Sequence, residues 1–449
     1  MRQIAPFFVL LLLVTTNVFG AEKPNVVLII SDDQHWSDYT FIRSDAPSTP
    51  NIDRLATEGI TFTRGYVPTA LCRASLLTLA TGLYPHQHRT GGNDPNQTPD
   101  GEEYNRQREK LIAHIDSLPT LPKMLKEAGY TSLQTGKWWE GNFARGGFDE
   151  GMTRGFPQPG GRHGDDGLAI GRETMQPVFN FIEKNKERPF FIWYAPMMPH
   201  DPHTPPQELL DKYLAKGHSP ALAHYEGMVE WFDQTIGQLV DKLQQCGVYD
   251  NTVIIYIADN GWMVRTHETT PAGWQKPFDP RSKLSPFEGG VRTPIIISYP
   301  KAFKPRRDDT TLIHSIDIVP TILALTGAKR PEMPKELTLL GLDLTAFIKN
   351  STPLNRNTIF GEAFGHDIPD VDDAVRGRLY RWCIEGNWKL LLCDPGDPGT
   401  NPDPRSDIDQ PQLYDLSLDP AETNNLAAEY PEIVKRLTEK IDRWSSASK

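Results

Sequence analysis

Four groups of polar residues stand directly after short apolar runs of the sequence. They are Asp32-Asp33, Gly136-Lys137-Trp138-Trp139, Pro199-His200-Asp201-Pro202-His203 and Asp259-Asn260-Gly261. Such apolar runs are typical of strands buried on both faces of a parallel sheet, and these sheets bind ligands beyond the carboxyl ends of their strands. The acidic groups, the carboxamide, the lysine and the two histidines are therefore expected to converge on one edge of a sheet.

The residues Asp32, Asp33, Asp259 and Asn260 together offer only hard oxygen ligands. This set suits Ca²⁺ or Mg²⁺ rather than zinc, and one divalent ion would offset the repulsion between the carboxylates. Taken singly, each pair is also compatible with ordinary turn and cap chemistry. Their shared position after two predicted buried strands favours a metal site.

Cys72 opens a predicted helix that ends before Gly82. A helix N-terminus favours negative charge, so a nucleophile or a bound anion would be stabilised there. The alternative is a small buried side chain with no chemical role. Lys283 is a second candidate cation for the site, unless it belongs to the solvated surface.

Two histidines, His200 and His203, lie in a proline-rich segment that restricts the directions of their rings. Beside an acidic cluster they are candidates for proton transfer. A loop histidine can equally be a surface residue, so the sequence leaves both interpretations open.

The elements that must position these side chains alternate along the chain. Strands are predicted at 26–30, 131–135, 190–194, 253–257 and 295–298, and helices at 50–58, 72–80, 120–128, 171–185 and 221–245. This alternation predicts an α/β fold with a mostly parallel, doubly wound sheet flanked by helices. Two polar, glycine-rich stretches, 91–109 and 141–171, are expected to be long loops that wall a cleft.

The chain divides into a signal peptide at 1–20, an N-terminal α/β domain at 21–348 and a smaller antiparallel α+β subdomain at 349–449. The C-terminal part contains a predicted hairpin at 378–393 and a terminal helix at 430–445. A two-residue turn at Gly386-Asn387 would set Cys383 opposite Leu390, so Cys383 and Cys393 are a poor disulfide pair.

Charge and hydropathy narrow the possible partners and the cellular location. The 449 residues include 47 basic and 58 acidic residues, for a net charge of -11, without the long basic runs that track nucleic acid. Residues 1–20 read as a secretory signal, so the protein is expected to be exported to the periplasm or the medium. No other segment approaches the 18 apolar residues of a membrane span, so stable membrane insertion is not expected.

Taken together, these motifs resemble the type I, formylglycine-dependent sulfatases of the alkaline-phosphatase superfamily, over almost the whole mature chain. The matching motifs, in the family's order, are Asp32-Asp33, Cys72-x-Ala74-Ser75 with Leu79-x-Thr81-Gly82, Gly136-Lys137-Trp138, Pro-His-x-Pro, Asp259-Asn260-Gly261, Glu288-Gly289-Gly290-x-Arg292-x-Pro294, Leu413-Tyr414-Asp415-Leu416 and Asp419-Pro420-x-Glu422.

The resemblance implies a sulfuric ester hydrolase that acts on a sulfated carbohydrate or polysaccharide. A maturation enzyme would oxidise Cys72 to formylglycine, whose hydrate attacks the sulfur of a sulfate ester with the help of Ca²⁺. The resemblance further implies the roles of individual residues. One Ca²⁺ would be bound by Asp32, Asp33, Asp259, Asn260 and the modified Cys72; Lys137 and Lys283 would hold the sulfate oxygens; His203, or as second choice His200, would protonate the leaving alcohol.

Two positions depart from the family pattern. Leu76 stands where the family usually has an arginine, and Trp139 stands where it has a histidine. Five tryptophans near the expected mouth are either sugar-stacking platforms or core residues, namely Trp36, Trp138, Trp139, Trp262 and Trp274. Two alternative functions stay open: a phosphodiesterase or phosphonate monoester hydrolase of the same superfamily, and a catalytically silent binder of sulfated glycans that keeps Cys72 as a thiol.

Overall fold

A computed structural model of the protein describes residues 23–264, 279–373, 375–394 and 410–446. The predicted signal peptide at 1–20 and Trp274 lie outside these ranges. Among the described residues, no helix combines the length and the apolar character needed to cross a membrane.

The strands and helices follow the predicted alternation. The strands are β1 Asn25–Ser31, β2 Ile60–Phe62, β3 Gly65–Tyr66, β4 Asp94–Pro95, β5 Thr131–Gly136, β6 Glu150–Gly151, β7 Phe190–Ala195, β8 Thr252–Ala258, β9 Ile295–Ser298, β10 Arg306–Asp308, β11 Ile313–His314, β12 Thr358–Phe364, β13 Asp367–Ile368, β14 Arg378–Glu385, β15 Trp388–Cys393 and β16 Gln412–Asp415. The α-helices are α1 Pro50–Glu58, α2 Cys72–Thr81, α3 Pro85–His88, α4 Gly101–Ala113, α5 Leu121–Glu127, α6 Gln176–Asn185, α7 Gln207–Ala215, α8 Pro220–Gln245, α9 Glu288–Val291, α10 Ile318–Thr326, α11 Thr345–Asn350 and α12 Pro431–Ser446. Short 3₁₀-helices lie at His114–Ser117, Phe143–Gly146, Asp165–Ala169, Tyr249–Asn251, Ser315–Asp317 and Lys335–Leu337.

The main sheet has eight strands in the order β10-β2-β9-β8-β1-β7-β5-β6. Strand β1 pairs in parallel with β7 on one side and with β8 on the other, and β5 continues the parallel pairing beyond β7. Strand β9 is antiparallel to both of its neighbours, β8 and β2. The predicted mostly parallel α/β sheet is therefore confirmed.

Both faces of the main sheet are buried, which explains the continuous apolar runs. In β1, Val26, Leu28 and Ile30 belong to the core on one face, while Val27 and Ile29 belong to the core on the other. Residues of α2, α5 and α10 complete the first core, and residues of α1, α6 and α8 complete the second. Alternate side chains of one strand thus pack against different helices, as a doubly wound sheet requires.

One predicted loop is wrong in part, because 91–109 contains the start of helix α4. The carboxylate of Asp100 accepts hydrogen bonds from the backbone N–H groups of Glu102 and Glu103, and Arg106 pairs with Glu103 one turn along the helix. Capping and charge pairing stabilise a helix that lacks a broad apolar stripe. Helix α6 also begins later than predicted, at Gln176 instead of 171.

The C-terminal part forms a four-stranded antiparallel sheet in the order β12-β14-β15-β16. Within it, Cys383 lies opposite Leu390 and Cys393 lies opposite Tyr380, so the predicted hairpin register is confirmed and the two cysteines are not bonded. One face of this small sheet packs on the core of the main domain and the other face packs on α12. The domain boundary at 348/349 stays a prediction.

Candidate active site

The parallel pairing of β1 with β8 brings two acidic segments side by side. Ser31 and Ala258 are register partners at the ends of these strands, so Asp32-Asp33 and Asp259-Asn260 leave the sheet together. The backbone N–H of Asp33 donates to Asp259 Oδ1 over 3.1 Å, and Asn260 Nδ2 donates to Asp33 Oδ1 over 2.6 Å. The structure therefore gathers the four predicted oxygen ligands in one place.

Two buried lysines neutralise the carboxylates that follow β1. Lys137, directly after β5, places its Nζ atom 2.7 Å from both carboxylate oxygens of Asp32. Lys283 places its Nζ atom 2.5 and 2.7 Å from the two carboxylate oxygens of Asp33. Both ammonium groups are charge-assisted donors at the base of the site, where burial strengthens their electrostatic effect.

Cys72 lies at the N-terminus of α2 and points into the same cluster. Its Sγ atom is 3.1 Å from Lys283 Nζ and 3.8 Å from one carboxylate oxygen of each of Asp32 and Asp33. The side chain is 1% exposed, and this burial raises the pKa of the Cys72 thiol to about 12. At neutral pH the unmodified side chain is therefore a thiol and a weak nucleophile.

The two candidate histidines lie at different distances from this cluster. His200 Nε2 is 3.6 Å from Asp33 Oδ2, while its Nδ1 atom is 2.7 Å from the backbone carbonyl oxygen of Asp201. His203 Nε2 is 3.3 Å from the carboxylate of Asp201, and its ring packs against Tyr225 and Trp262. The geometry thus places His200 against the predicted ligands, whereas sequence reasoning ranked His203 first.

A carbonyl oxygen can only accept, so Nδ1 of His200 carries a proton and donates to it. The other ring nitrogen, Nε2, faces the carboxylates and is available to exchange a proton in the site. Burial, together with the charge of Lys137, lowers the pKa of His200 from its ordinary value.

The oxygen donors fit a divalent cation. Asp259 Oδ2 and Asn260 Oδ1 are both buried, and neither has a hydrogen-bond partner among the described residues. Ligand atoms of Asp32, Asp33, Cys72 and His200 lie within 4.8 Å of one another. Buried oxygens without a donor are costly, and a hard cation is the partner that would satisfy them.

The two departures from the family pattern are both buried. Leu76 is 3% exposed on α2, and the neighbouring Arg73 is held by a bidentate ion pair with Glu140 at 2.7 and 2.8 Å. Arg73 is thereby engaged away from residue 72. Trp139 packs its ring 5.2 Å from that of His163, a histidine of the 141–171 loop that sequence reasoning did not single out. The glycine-rich setting of His163 was the one signal that could have drawn attention to it.

The tryptophans near the site are mostly packed side chains. Trp138, Trp139 and Trp262 are 2%, 3% and 7% exposed, so these three are core residues instead of open platforms for a sugar. Trp36 is partly exposed, and the guanidinium carbon of Arg292 lies 4.1 Å from the centroid of the Trp36 ring.

Comparisons with known proteins show what this chain is similar to. A family model described as Sulfatase matches residues 24–328. The N-acetylgalactosamine-6-O-sulfatase of Bacteroides thetaiotaomicron is 25% identical, covering 94% of this chain and 93% of that protein. Arylsulfatase A of Homo sapiens is 27% identical, covering 95% of this chain and 89% of that protein. A solved structure described under the metabolism of multiple glycosaminoglycans by Bacteroides thetaiotaomicron has a TM-score of 0.72 at 24% identity and covers 96% of this chain and 100% of its own.

Proposed function

The chain belongs to the sulfatase family of sulfuric ester hydrolases, and we propose that it is an exported enzyme that removes sulfate from a carbohydrate. The observation that carries this proposal is the contact of Lys283 Nζ with both Cys72 Sγ and the Asp33 carboxylate. It places fixed positive charge at the residue that the family converts into its nucleophile. An anionic sulfate group needs such charge, because the net charge of the chain is -11.

The proposed metal is one Ca²⁺, held by Asp32, Asp33, Asp259, Asn260 and the modified residue 72. The unpartnered oxygens of Asp259 and Asn260 support this assignment. When present, formylglycine supplies a hydrated aldehyde as nucleophile, and Ca²⁺ supplies positive charge beside the sulfate group.

The buried lysines have defined tasks in this proposal. An ammonium group carries three donors. Lys137 directs two of them to Asp32 and can direct the third to a sulfate oxygen, whereas Lys283 would exchange its contact with Cys72 Sγ for a sulfate oxygen while it stays close to Asp33. Because these donors are held in place before substrate binds, they stabilise the charge on the transferring group without reorganisation.

We assign proton transfer to the leaving alcohol to His200, with His203 as the second candidate. The bond from Nδ1 to the Asp201 carbonyl oxygen fixes the ring and directs Nε2 toward the site. Because its lowered pKa leaves Nε2 without a proton at neutral pH, this nitrogen takes up a proton that comes from water and then passes it to the alcohol. In the overall reaction the ester bond between sulfur and oxygen breaks, water supplies an oxygen to sulfate, and its protons pass to the alcohol and to solvent.

The substrate class rests on the relatives. One relative is named as an N-acetylgalactosamine-6-O-sulfatase, so 6-O-sulfated amino sugars are the first substrates to test. We also propose that residues 1–20 are a signal peptide that directs export. The boundary between the catalytic domain and the C-terminal subdomain is proposed to lie at 348/349.

The test compares matched aryl sulfate and aryl phosphate esters, with protein made in a host that can install formylglycine. We expect faster sulfate hydrolysis, an aldehyde in the tryptic peptide 65–73, and loss of turnover in Cys72→Ala. A clear phosphate preference would instead support a phosphodiesterase or phosphonate hydrolase. Glycan binding that is unchanged in Cys72→Ala, with no turnover of any ester, would support a silent binder.

A further inference from the structure

Three charged side chains form a buried cluster where the small C-terminal sheet meets the main domain. Lys389 Nζ, on β15, lies 3.0 Å from Glu288 Oε1 and 2.9 Å from Glu422 Oε1. None of the three side chains is more than 2% exposed. Removing an ion pair and a further carboxyl group from water is expensive, and apolar residues of similar volume would often be at least as stable. A contribution to stability alone therefore does not explain why these three residues are buried together.

Glu288 is the residue on which this cluster converges. Its backbone N–H donates to Glu422 Oε2 over 2.5 Å, and its own Oε2 atom accepts a hydrogen bond from Tyr66 over 3.0 Å. Glu288 is also the first residue of α9. Two residues of the C-terminal part, Lys389 and Glu422, thus hold the start of α9 through both its side chain and its backbone.

Helix α9 in turn packs directly against the segment that carries the proposed metal ligands. The backbone N–H of Gly261 donates to the Gly290 carbonyl oxygen over 3.0 Å. A Cβ atom on Gly261 would lie 1.8 Å from the Gly289 carbonyl oxygen, so only glycine allows this approach. A shift of α9 would therefore move Gly261 and with it the preceding Asn260 and Asp259, because close-packed backbone leaves no free space.

The same helix also contacts the segment that carries Lys283. A Cβ atom on Gly290 would lie 2.3 Å from the Ser285 carbonyl oxygen and 2.8 Å from that of Ser282. Between these serines, Leu284 adopts a left-handed φ of 73° and its N–H donates to the carbonyl oxygen of Ala70. A non-glycine residue holds this conformation only when its surroundings impose it.

We propose that Lys389 and Glu422 are positioning residues for the active site. By fixing Glu288 they set the place of α9, and α9 sets both the Asp259-Asn260 ligands and the Lys283 ammonium group. The inference rests on the proposed function, since it concerns the same metal and sulfate site. It makes the C-terminal part of the chain a component of the catalytic apparatus, although its residues touch no reacting atom.

The test measures Ca²⁺ affinity by calorimetry on the unconverted thiol protein, and kcat and KM for an aryl sulfate on the converted protein. Lys389→Met leaves Glu422 without its cation and leaves Glu288 with only the more distant Arg292, at 3.5 Å. We expect it to weaken Ca²⁺ binding about tenfold and to lower kcat more than it changes KM. In the double variant Lys389→Met/Glu422→Gln, a neutral amide replaces one of the two neighbouring carboxylates. The repulsion between Glu288 and residue 422 is then removed, so part of the Ca²⁺ affinity should return.

The matched control is Arg356→Met, which breaks another buried ion pair, between Arg356 and Asp317 at 2.6 Å. This variant should lose thermal stability and keep wild-type Ca²⁺ affinity. If Lys389→Met does not fold, Glu422→Ala takes its place, because it removes the carboxylate that accepts from the Glu288 N–H, and the same loss of Ca²⁺ affinity is expected.

Each outcome has a distinct meaning. Ca²⁺ affinity and kcat within twofold of wild type in the folded variant would overturn the positioning role, whatever happens to stability. Wild-type protein that binds Ca²⁺ and hydrolyses sulfate esters in the same experiment keeps the proposed function intact. Wild-type protein that does neither would overturn the proposed function, and the positioning role with it.

Discussion

The ammonium group of Lys283 lies 3.1 Å from the sulfur of Cys72 and is paired at the same time with both carboxylate oxygens of Asp33. One cation thus touches the residue that is expected to become the nucleophile and a residue that is expected to bind the metal. The contact joins two segments that are 211 residues apart. Any change in the position of Lys283 should therefore affect both functions.

Replacing Lys283 with methionine should lower kcat for an aryl sulfate by about 10²–10³-fold, because a fixed donor to the transferring group is lost. Initial rates over a range of substrate concentrations measure the effect. Lys184→Met is the control, since Lys184 is mostly exposed and pairs with Glu150. A Lys283→Met enzyme with near wild-type kcat would remove Lys283 from the proposed mechanism.

Replacing Asp259 with asparagine should have opposite effects on the metal-free and the metal-bound protein. Burial and the nearby charge of Asp32 raise the pKa of Asp259 well above its ordinary value, so a neutral amide of the same shape relieves an unfavourable environment. With a chelator present, the thermal midpoint of Asp259→Asn should lie roughly 2–4 °C above that of wild type.

When Ca²⁺ is added, Asp259→Asn should be stabilised less than wild type. The stabilisation by a bound ligand rises with its affinity for the folded state, and the variant has lost a charged ligand. Thermal unfolding with and without Ca²⁺ measures both effects. A wild-type midpoint that does not respond to millimolar Ca²⁺ would contradict the metal site itself.

His200→Gln should reduce kcat by about 10²-fold or more for a sugar sulfate, whose alcohol leaves poorly without a proton. The loss should be much smaller for an aryl sulfate with an acidic phenol, because that leaving group needs little help. His203→Gln should show a weaker dependence on the leaving group. The reverse order between the two variants would return the role to His203.

The free energy of unfolding should fall as the pH rises from about 4.5 to 7, through the titration of Glu422. Burial raises the pKa of this carboxyl from 4.5 to about 7, opposed by the charge of Lys389 and reinforced by the charge of Glu288. Between these values the folded state binds a proton that the unfolded state has released, so stability decreases with pH.

Glu422→Gln should remove this contribution, which is at most about 1.4 kcal/mol per pH unit. Urea unfolding at a series of pH values measures it, with Glu429→Gln as the exposed control. Parallel pH profiles for wild type and Glu422→Gln would show that this carboxyl is already ionised at pH 5.

Much of the fold follows from local sequence because both faces of the main sheet are buried. Runs such as 26–30 and 253–257 have no polar alternation, and each became a strand with Asp32 or Asp259 directly after its end. The hairpin register could be predicted as well, since the turn at Gly386-Asn387 fixes which residues face each other. In these cases the signal and its structural consequence lie a few residues apart.

Other features depend on contacts that no local pattern contains. The His200 and His203 rings are three residues apart in similar Pro-His contexts, and only the path of the loop decides which one reaches Asp33. Helix α4 lacks a broad apolar stripe and depends on its cap and charge pairs. The pairing of Lys389 with Glu288 joins residues 101 positions apart, so it appears only in three dimensions.

The burial of Cys72 also constrains the biogenesis of the enzyme. With 1% of the side chain accessible and every residue of α2 buried, the folded chain leaves almost none of this thiol open to a second protein. If residue 72 is converted as proposed, the maturation enzyme must therefore meet it on a chain that has not yet folded around α2. Protein that folds first as the thiol would then keep Cys72 unconverted until α2 becomes accessible again.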